Sequence, residues 1–379
     1  MSDYNENLKN LLQKKIGILD LSKVLDDLVK FRIPTGIRGI DLIIGGGIPA
    51  SRLTEIYGDF TTGKSRLLYH ILAICQKMGG YAILLDQERG YSSGLAELTG
   101  LDHNRLIYAD PDKIITIEDI FECIKISINV LREADPDCLI AIGWDSVAMG
   151  VTREDLESKD LSVATSAARR AKVIGDGLRK IMPLVYKNKI CLIFINQIRD
   201  RIGVMYGEKI DTVGGKMIKF AASLRLHCYL AGKIKEETDT SNVDIIRGFK
   251  GRLVVDKSKI CRPFEYCEFQ MFVDKPIDVY SGLRDVLVRR GEIIDLGRKK
   301  YKWGEKEFHE DEFIEIYTAS EGLIEKSNEL IEKRKAKEIL SEKKGDIIRK
   351  ITEEVDDVKI VDKRIKELKE KKKRNVEDF

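Results

Sequence analysis

"RLTEIYGDFTTGKSRLLYHILAICQKM", residues 52–78, is the stretch on which the fold turns. An apolar run, "RLTEIY", reads as a buried strand. "SRLLYHILAICQKM" has the period of a helix. Between them Gly58, Asp59, Phe60, Thr61, Thr62, Gly63, Lys64 and Ser65 match G-x-x-x-x-G-K-[ST], with Arg66 opening the helix. Glycines let backbone N–H groups turn inward on phosphate oxygens. A lysine supplies a point charge for the β/γ-phosphates, and the serine hydroxyl can hold Mg²⁺. A chance glycine turn is the bland alternative. A strand before and a helix after is the context that separates the two.

Outward from that stretch the same texture repeats. "YAILLD", "RLIYAD", "CLIAIGWD" and "ICLIFIN" read as short strands, apolar on both faces. Helix-period segments such as "IEDIFECIKISINVLREA" lie between them. Alternation of this kind predicts an α/β fold with a mostly parallel central sheet covered by helices. "SLRLHCYLA", "GRLVVDKSK" and "YCEFQMFV" follow without long helices between them, so that edge is expected to be antiparallel. Residues 1–33 carry an amphipathic helical stripe, 34–275 the core, and 276–335 a small α+β domain. Residues 336–379 form a charged helical tail, read as solvated, with a docking surface for a protein partner as the alternative.

Composition narrows the function. The net charge of the 379 residues is only +3, so contact with nucleic acid must come from local clusters. Seven scattered cysteines without a C-x-x-C pair point to reduced core thiols and a cytoplasmic protein rather than a disulfide framework or zinc site. The N-terminus lacks a signal-peptide apolar core, and no apolar run reaches membrane-spanning length.

Strand ends supply the other candidates. "CLIAIGWD" ends in Asp145, where a carboxylate reaches a metal beside a bound phosphate. "YAILLDQE" ends with Asp86 and Glu88. Either can polarise water, and Glu88 is preferred as the base because Asp86 has a helix N-cap alternative. Gln197 closes the next strand, where an amide can hydrogen-bond a γ-phosphate and lose that bond after hydrolysis. The segment after it, "IRDRIGVMYGEKIDTVGG", mixes Arg199 and Arg201 with Ile202, Val204 and Met205.

These residues carry a family signature. "TGIRGIDLIIGGGIP", "EIYGDFTTGKS", "LIFINQIRDRIGVMYG", "TVGGKMIKFAASLRL", "KSKICRPFEYCEFQM" and "YKWGEKEF" occur in the order found in RecA-type recombinases. Over roughly residues 34–335 the chain resembles the bacterial or bacteriophage members. The resemblance implies a RecA-like P-loop ATPase core and a homo-oligomeric helical filament on single-stranded DNA. ATP and Mg²⁺ would lie between subunits, and homologous duplex DNA would be paired and exchanged in recombination and repair. On that template residues 58–66 hold the nucleotide and Ser65 and Asp145 the metal. Glu88 activates water, Gln197 senses the γ-phosphate, and Lys257 and Lys259 reach a neighbour's ATP. Lys219 and Phe220 match a subunit contact, and the stripe in residues 1–33 an oligomerisation helix. Arg169, Arg199, Arg201, Ile202, Gly214 and Gly215 match DNA-binding positions, and the domain after 276 would gather duplex.

Two departures stand out. Ser92 and Leu95 fall where the family usually has an acidic residue and a tyrosine near ribose and adenine, and Tyr91 stands next to them. The tail is slightly basic rather than acidic. The altered base pocket and long tail motivate an alternative, a nucleotide-gated accessory DNA-binding filament protein with weak or no ATP hydrolysis.

Overall fold

The computed structural model describes residues 31–158, 163–200, 210–236 and 245–320. The helix expected within residues 1–30, the tail, Arg201 and Ile202 lie outside the described residues. β1 (Arg32–Ile33) and β2 (Ile48–Pro49) pair antiparallel around α1 (Arg38–Ile43). Then β3 (Arg52–Gly58), α2 (Lys64–Lys77), β4 (Tyr81–Asp86), α3 (Ser93–Thr99), β5 (Leu106–Tyr108), α4 (Ile117–Ala134) and β6 (Ile140–Asp145) alternate. α5 (Arg153–Glu157) and α6 (Val163–Lys187) lead to β7 (Ile190–Asp200), β8 (Ile210–Thr212) and α7 (Lys216–Ala221). β9 (Leu224–Glu236), β10 (Ile245–Ser258), β11 (Tyr266–Phe272) and α8 (Leu283–Arg289) complete the succession.

The main sheet runs β11-β10-β9-β3-β7-β6-β4-β5. From β9 to β5 every pair is parallel, while β9-β10 and β10-β11 are antiparallel. This is the expected α/β class, with the expected antiparallel edge. Side-chain alternation explains why the strands are apolar throughout. Ala82, Leu84, Ala141, Cys191 and Ile193 pack into one core with α1 and α2. Ile83, Leu85, Ile140, Ile142, Trp144, Leu192 and Phe194 pack into a second core with α4 and α6. α4 buries Ile117, Ile120, Phe121, Ile124 and Ile128, one stripe of a 3.6-residue period, and Thr116 with Asp119 closes a capping box at its start.

One strand differs from its reading. β7 does not stop at Gln197. It continues to Asp200 because β8 returns alongside it, pairing Ile198 with Thr212 and Arg199 with Asp211. The backbone of "QIRD" therefore has a ladder partner, which its polar sequence does not announce.

Charge is buried at the centre of the sheet. Glu55 on β3 is fully buried and accepts from Arg225 Nε at 2.6 Å and from Asn196 Nδ2 at 2.8 Å. The same guanidinium reaches Asp256 on β10 at 2.6 Å and lies 4.4 Å over the Tyr57 ring. Desolvation opposes the Arg225 charge, but Glu55 overrides it and raises the arginine pKa.

The described residues up to Asp295, with Lys302–Glu305, belong to one compact unit. Leu296–Tyr301 and the described residues from Lys306 belong to another. β12 (Ile294–Gly297), β13 (Lys300–Trp303) and β14 (Lys306–His309) form a small sheet in that order. In the second unit Phe308 stacks near Tyr301 and Phe313.

Arg225→Met leaves Glu55 buried without its cation and should destabilise the protein by roughly 3–5 kcal/mol. Urea denaturation followed by far-UV circular dichroism measures this. A change below about 1 kcal/mol is the range for an exposed pair and would show that the charges do not act as a buried unit.

Candidate functional site

The turn between β3 and α2 is shaped to receive an anion. Gly63 takes a left-handed φ of +84° as the N-cap of α2, and a Cβ there would lie 2.7 Å from Met271 Sδ. Only glycine meets both demands. The first N–H groups of α2, from Lys64 to Arg66, have no partner within the helix and sit at its positive end. Thr62 Oγ1 donates to the Asp59 carbonyl at 2.9 Å and holds the loop closed. Lys64 is 8% exposed, and its Nζ donates to the same carbonyl at 2.6 Å. Burial lowers its pKa, while Asp145 and Glu88 are among the groups that oppose the shift. An ammonium held by a neutral carbonyl in this setting gains when a phosphate arrives.

Arg66 lines the cleft beside this loop and is also engaged by the fold. Its guanidinium donates to the carbonyls of Phe272 and Lys275, tying α2 to the end of β11. Its two terminal nitrogens are thus engaged by the fold, and its backbone N–H stays available to an anion.

Asp145 is 3% exposed, and its Oδ1 has no hydrogen-bond partner. Burial pushes its pKa up to about 7, against a Ser65 hydrogen bond and reinforced by Glu88 and Asp86. An orphaned buried carboxylate oxygen beside a serine hydroxyl fits an oxygen-loving divalent cation. Among the described residues no cluster of three or more His, Cys, Asp or Glu could hold one alone. Phosphate and water would complete the shell, as suits Mg²⁺.

The two candidate bases separate cleanly. Asp86 is buried and accepts from Gly90 N at 3.3 Å, Tyr91 N at 2.9 Å and Tyr108 Oη at 3.1 Å. Its oxygens are committed to local structure. Glu88 lines a cleft of about 450 Å³ together with residues 60–66, Asp145 and Gln197. Its Oε1 accepts from Ser146 Oγ and from Gln197 Nε2, the latter at 2.9 Å. The sheet thus brings Glu88, Asp145 and Gln197 to one edge beside the phosphate loop.

The expected nucleic-acid residues are more scattered. Arg199 is exposed on β7. Arg169 on α6 is held by Glu154 at 3.3 Å and Asp155 at 3.2 Å, its side chain 15% exposed. Gly214 and Gly215 both take left-handed φ, and a Cβ on either would strike Ile218 or Ala171. Their glycines are required by the turn into α7, whatever else the segment does. Lys257 Nζ donates to the carbonyls of Lys219 and Phe220, while Lys259 is exposed. Phe220 is 65% exposed.

Sequence reasoning passed over Glu55, Asn196, Ser146, Arg225 and Asp256. The available signal was a carboxylate and an arginine inside strands otherwise apolar on both faces, which burial obliges to pair.

A profile of the RecA N-terminal domain matches residues 8–278. The chain is 33% identical to Protein RecA of Cytophaga hutchinsonii over 302 residues, 77% of this chain and 78% of that protein. It is 33% identical to Protein RecA of Geobacter sulfurreducens over 273 residues, 72% of this chain and 75% of that one. Protein RecA of Aquifex pyrophilus is 32% identical over 275 residues, with 72% and 74% covered.

Metal-free protein offers a test of the Asp145 environment. A carboxyl whose folded pKa is raised to about 7 loses stability as pH climbs from its unfolded value through 7. Asp145→Asn removes that loss. The variant should gain on the wild type between pH 4 and 7, by on the order of 2–4 kcal/mol at pH 8. Denaturant melts in EDTA at several pH values measure it, and a gain independent of pH would contradict the assignment.

Proposed function

The chain belongs to the RecA family, and on that premise we propose that it is a recombinase that assembles on single-stranded DNA and exchanges strands with homologous duplex. ATP and Mg²⁺ drive the cycle, and the protein is a DNA-dependent ATPase. The observation that carries this reading is the convergence of Lys64, Ser65, Asp145, Glu88 and Gln197 on one cleft.

In this reading Gly58 to Arg66 cradle the triphosphate through backbone N–H groups. Lys64 exchanges the Asp59 carbonyl for a phosphate oxygen. Ser65 and Asp145 would hold Mg²⁺, which would supply charge neutralisation for the triphosphate. Glu88 orients water against the γ-phosphate. Gln197 now holds Glu88. A γ-phosphate that draws the amide to itself would release the base and shift the end of β7. Arg199 rides on that strand end, and Arg201 and Ile202, which follow it in sequence, would serve DNA with it. Arginines take the DNA backbone and apolar side chains take the bases, which leaves sequence choice to base pairing. Arg169 joins only by leaving Asp155 and Glu154. Lys257 and Lys259 would serve the nucleotide of an adjacent copy, stabilising transition-state charge only in an assembled filament. No helix among the described residues is long and apolar enough to cross a membrane.

ATP hydrolysis measured with and without single-stranded DNA tests the reading. DNA should stimulate turnover, and Lys64→Ala should abolish it. Glu88→Gln should keep nucleotide binding and lose about 10²–10⁴-fold in turnover. Turnover indifferent to DNA, or intact in Lys64→Ala, would overturn the proposal.

A salt titration isolates the two arginines. The double substitution Arg199→Ala, Arg201→Ala should reduce the slope of log affinity against log salt by roughly 1.5 on single-stranded DNA. An unchanged slope would remove both arginines from the phosphate contacts.

A further inference from the structure

The strand that leads to Glu88 ends before reaching it. β4 pairs with β6 only as far as Asp86, opposite Asp145. Past that point the Gln87 N–H donates to the Asp145 carbonyl at 2.8 Å, and the Glu88 N–H donates to the same carbonyl at 3.2 Å. A single oxygen thus anchors both backbone groups, and the chain could pivot about it. The Gln87 side chain adds further anchors. Its Oε1 accepts from Trp144 Nε1 at 2.9 Å, and its Nε2 donates to the Ile115 carbonyl at 2.8 Å. The first partner lies on β6 and the second just ahead of α4.

Trp144 is fully buried in the core that α4 and α6 form with the sheet. Its ring meets Phe194 at 4.9 Å and Phe121 at 6.0 Å, both edge-on, and a Cβ on Gly150 would come within 3.3 Å of it. Packing on these sides fixes where the indole N–H points. An indole nitrogen can only donate, and burial obliges it to find an acceptor. The acceptor it finds belongs to the residue before Glu88. Gln87 itself does not line the cleft, whereas Glu88 does. Glu88 Oε1 is shared by Ser146 Oγ and Gln197 Nε2. When Gln197 turns to a γ-phosphate, as proposed above, that oxygen loses one of these two donors. The backbone under Glu88 then has to be fixed from elsewhere.

We infer that Gln87 is a positioning residue for Glu88: the bridge from Trp144 through the Gln87 amide to the Ile115 carbonyl keeps the carboxylate on its water after Gln197 lets go. The inference rests on reading Glu88 as the residue that orients water, as proposed above. Gln87 takes no proton and touches no substrate. It passes the rigidity of an apolar core to a side chain that must stay exposed. A base works only within hydrogen-bond reach of its water, and a displacement of about 1 Å costs on the order of 10²-fold in rate. The lever is short here. Gln87 and Glu88 share one peptide unit, so a rotation of that unit moves the carboxylate directly.

The test uses the full-length protein with Mg²⁺, ATP and single-stranded DNA. Gln87→Leu keeps most of the side chain's bulk and removes both of its bonds. Its kcat for ATP should fall about 10–100-fold with KM for ATP unchanged. Trp144→Phe should lower kcat in the same way. The double variant should be no slower than the slower single one, because both substitutions break one bridge. Nucleotide-free protein gives an independent signal. The chain has two tryptophans, Trp144 and Trp303. Gln87→Leu should move the indole N–H proton resonance of Trp144 upfield and leave that of Trp303 in place. Wild-type kcat in Gln87→Leu overturns the inference, even where its melting temperature falls. So does an unmoved Trp144 resonance, or a loss in the double variant equal to the product of the single losses. Gln87 is only half-buried, so Gln87→Leu decides the matter if Trp144→Phe does not fold. Failure of the underlying reading looks different: Glu88→Gln then turns over as the wild type does, and the inference falls with it.

Discussion

A buried carboxylate at the middle of a parallel sheet constrains most of what surrounds it. Glu55 has no water to turn to, and it is satisfied by Arg225 from one flanking strand and Asn196 from the other. Register makes this possible, because Glu55 stands opposite both Phe194 on β7 and Arg225 on β9. A slip by one residue would carry the arginine to the other face and leave a charge stranded in the core. The pairing therefore specifies strand alignment in a way that interchangeable apolar side chains do not. Strands around this knot lead into candidate site residues. β3 runs into the phosphate loop, β7 carries Gln197 next to Asn196, and β10 carries Lys257 next to Asp256. The polar knot lies one or a few residues upstream of each.

Parallel topology concentrates the chemistry further. Strands β3, β7, β6 and β4 all deliver their carboxyl ends to one edge, where the phosphate loop, Gln197, Asp145 and Asp86–Glu88 arise. Helix starts and strand ends meet there, so unpaired N–H groups face carboxylates across a narrow gap. Burial then separates the two carboxylates. Asp86 sits deep enough to be enclosed by amides and a tyrosine hydroxyl. Glu88, two residues on, is exposed and keeps its oxygens for Ser146 and Gln197.

Much of this was legible in the sequence, for reasons that can be named. Apolar runs between helix-period segments give a parallel sheet, because only strands covered on both faces can afford to lack polar residues. The phosphate loop declares itself because glycine, lysine and serine are each needed at one position. Other features were hidden because they depend on contacts between distant segments. Arg66 follows the loop motif and looks like a phosphate ligand, yet its partners are carbonyls about two hundred residues away. "IRD" reads as the start of a loop, but its strand character comes from β8. Arg225, passed over in the sequence, takes its place from Glu55 and Asp256 on either side of it. Local pattern reports a residue's preference, and long-range pairing decides whether the preference is met.

Lys257 shows how the same knot bears on assembly. Its ammonium donates to the carbonyls of Lys219 and Phe220 near the end of α7, where a helix end favours a cation. Burial lowers its pKa, and Lys259 and Arg225 push it further in the same direction. The charge is thus held by neutral acceptors and crowded by two cations, in sequence contact with the carboxylate that anchors Arg225. Neutral carbonyls are weaker acceptors than a phosphate. Moving this ammonium onto a triphosphate exchanges poor partners for good ones and relieves repulsion. The exposed Phe220 carries one of the carbonyls that would be vacated, so in the proposed filament docking of another copy against its ring would coincide with release of the lysine. In the proposed filament, assembly and phosphate neutralisation would then act as one step without any long-range wire through the fold.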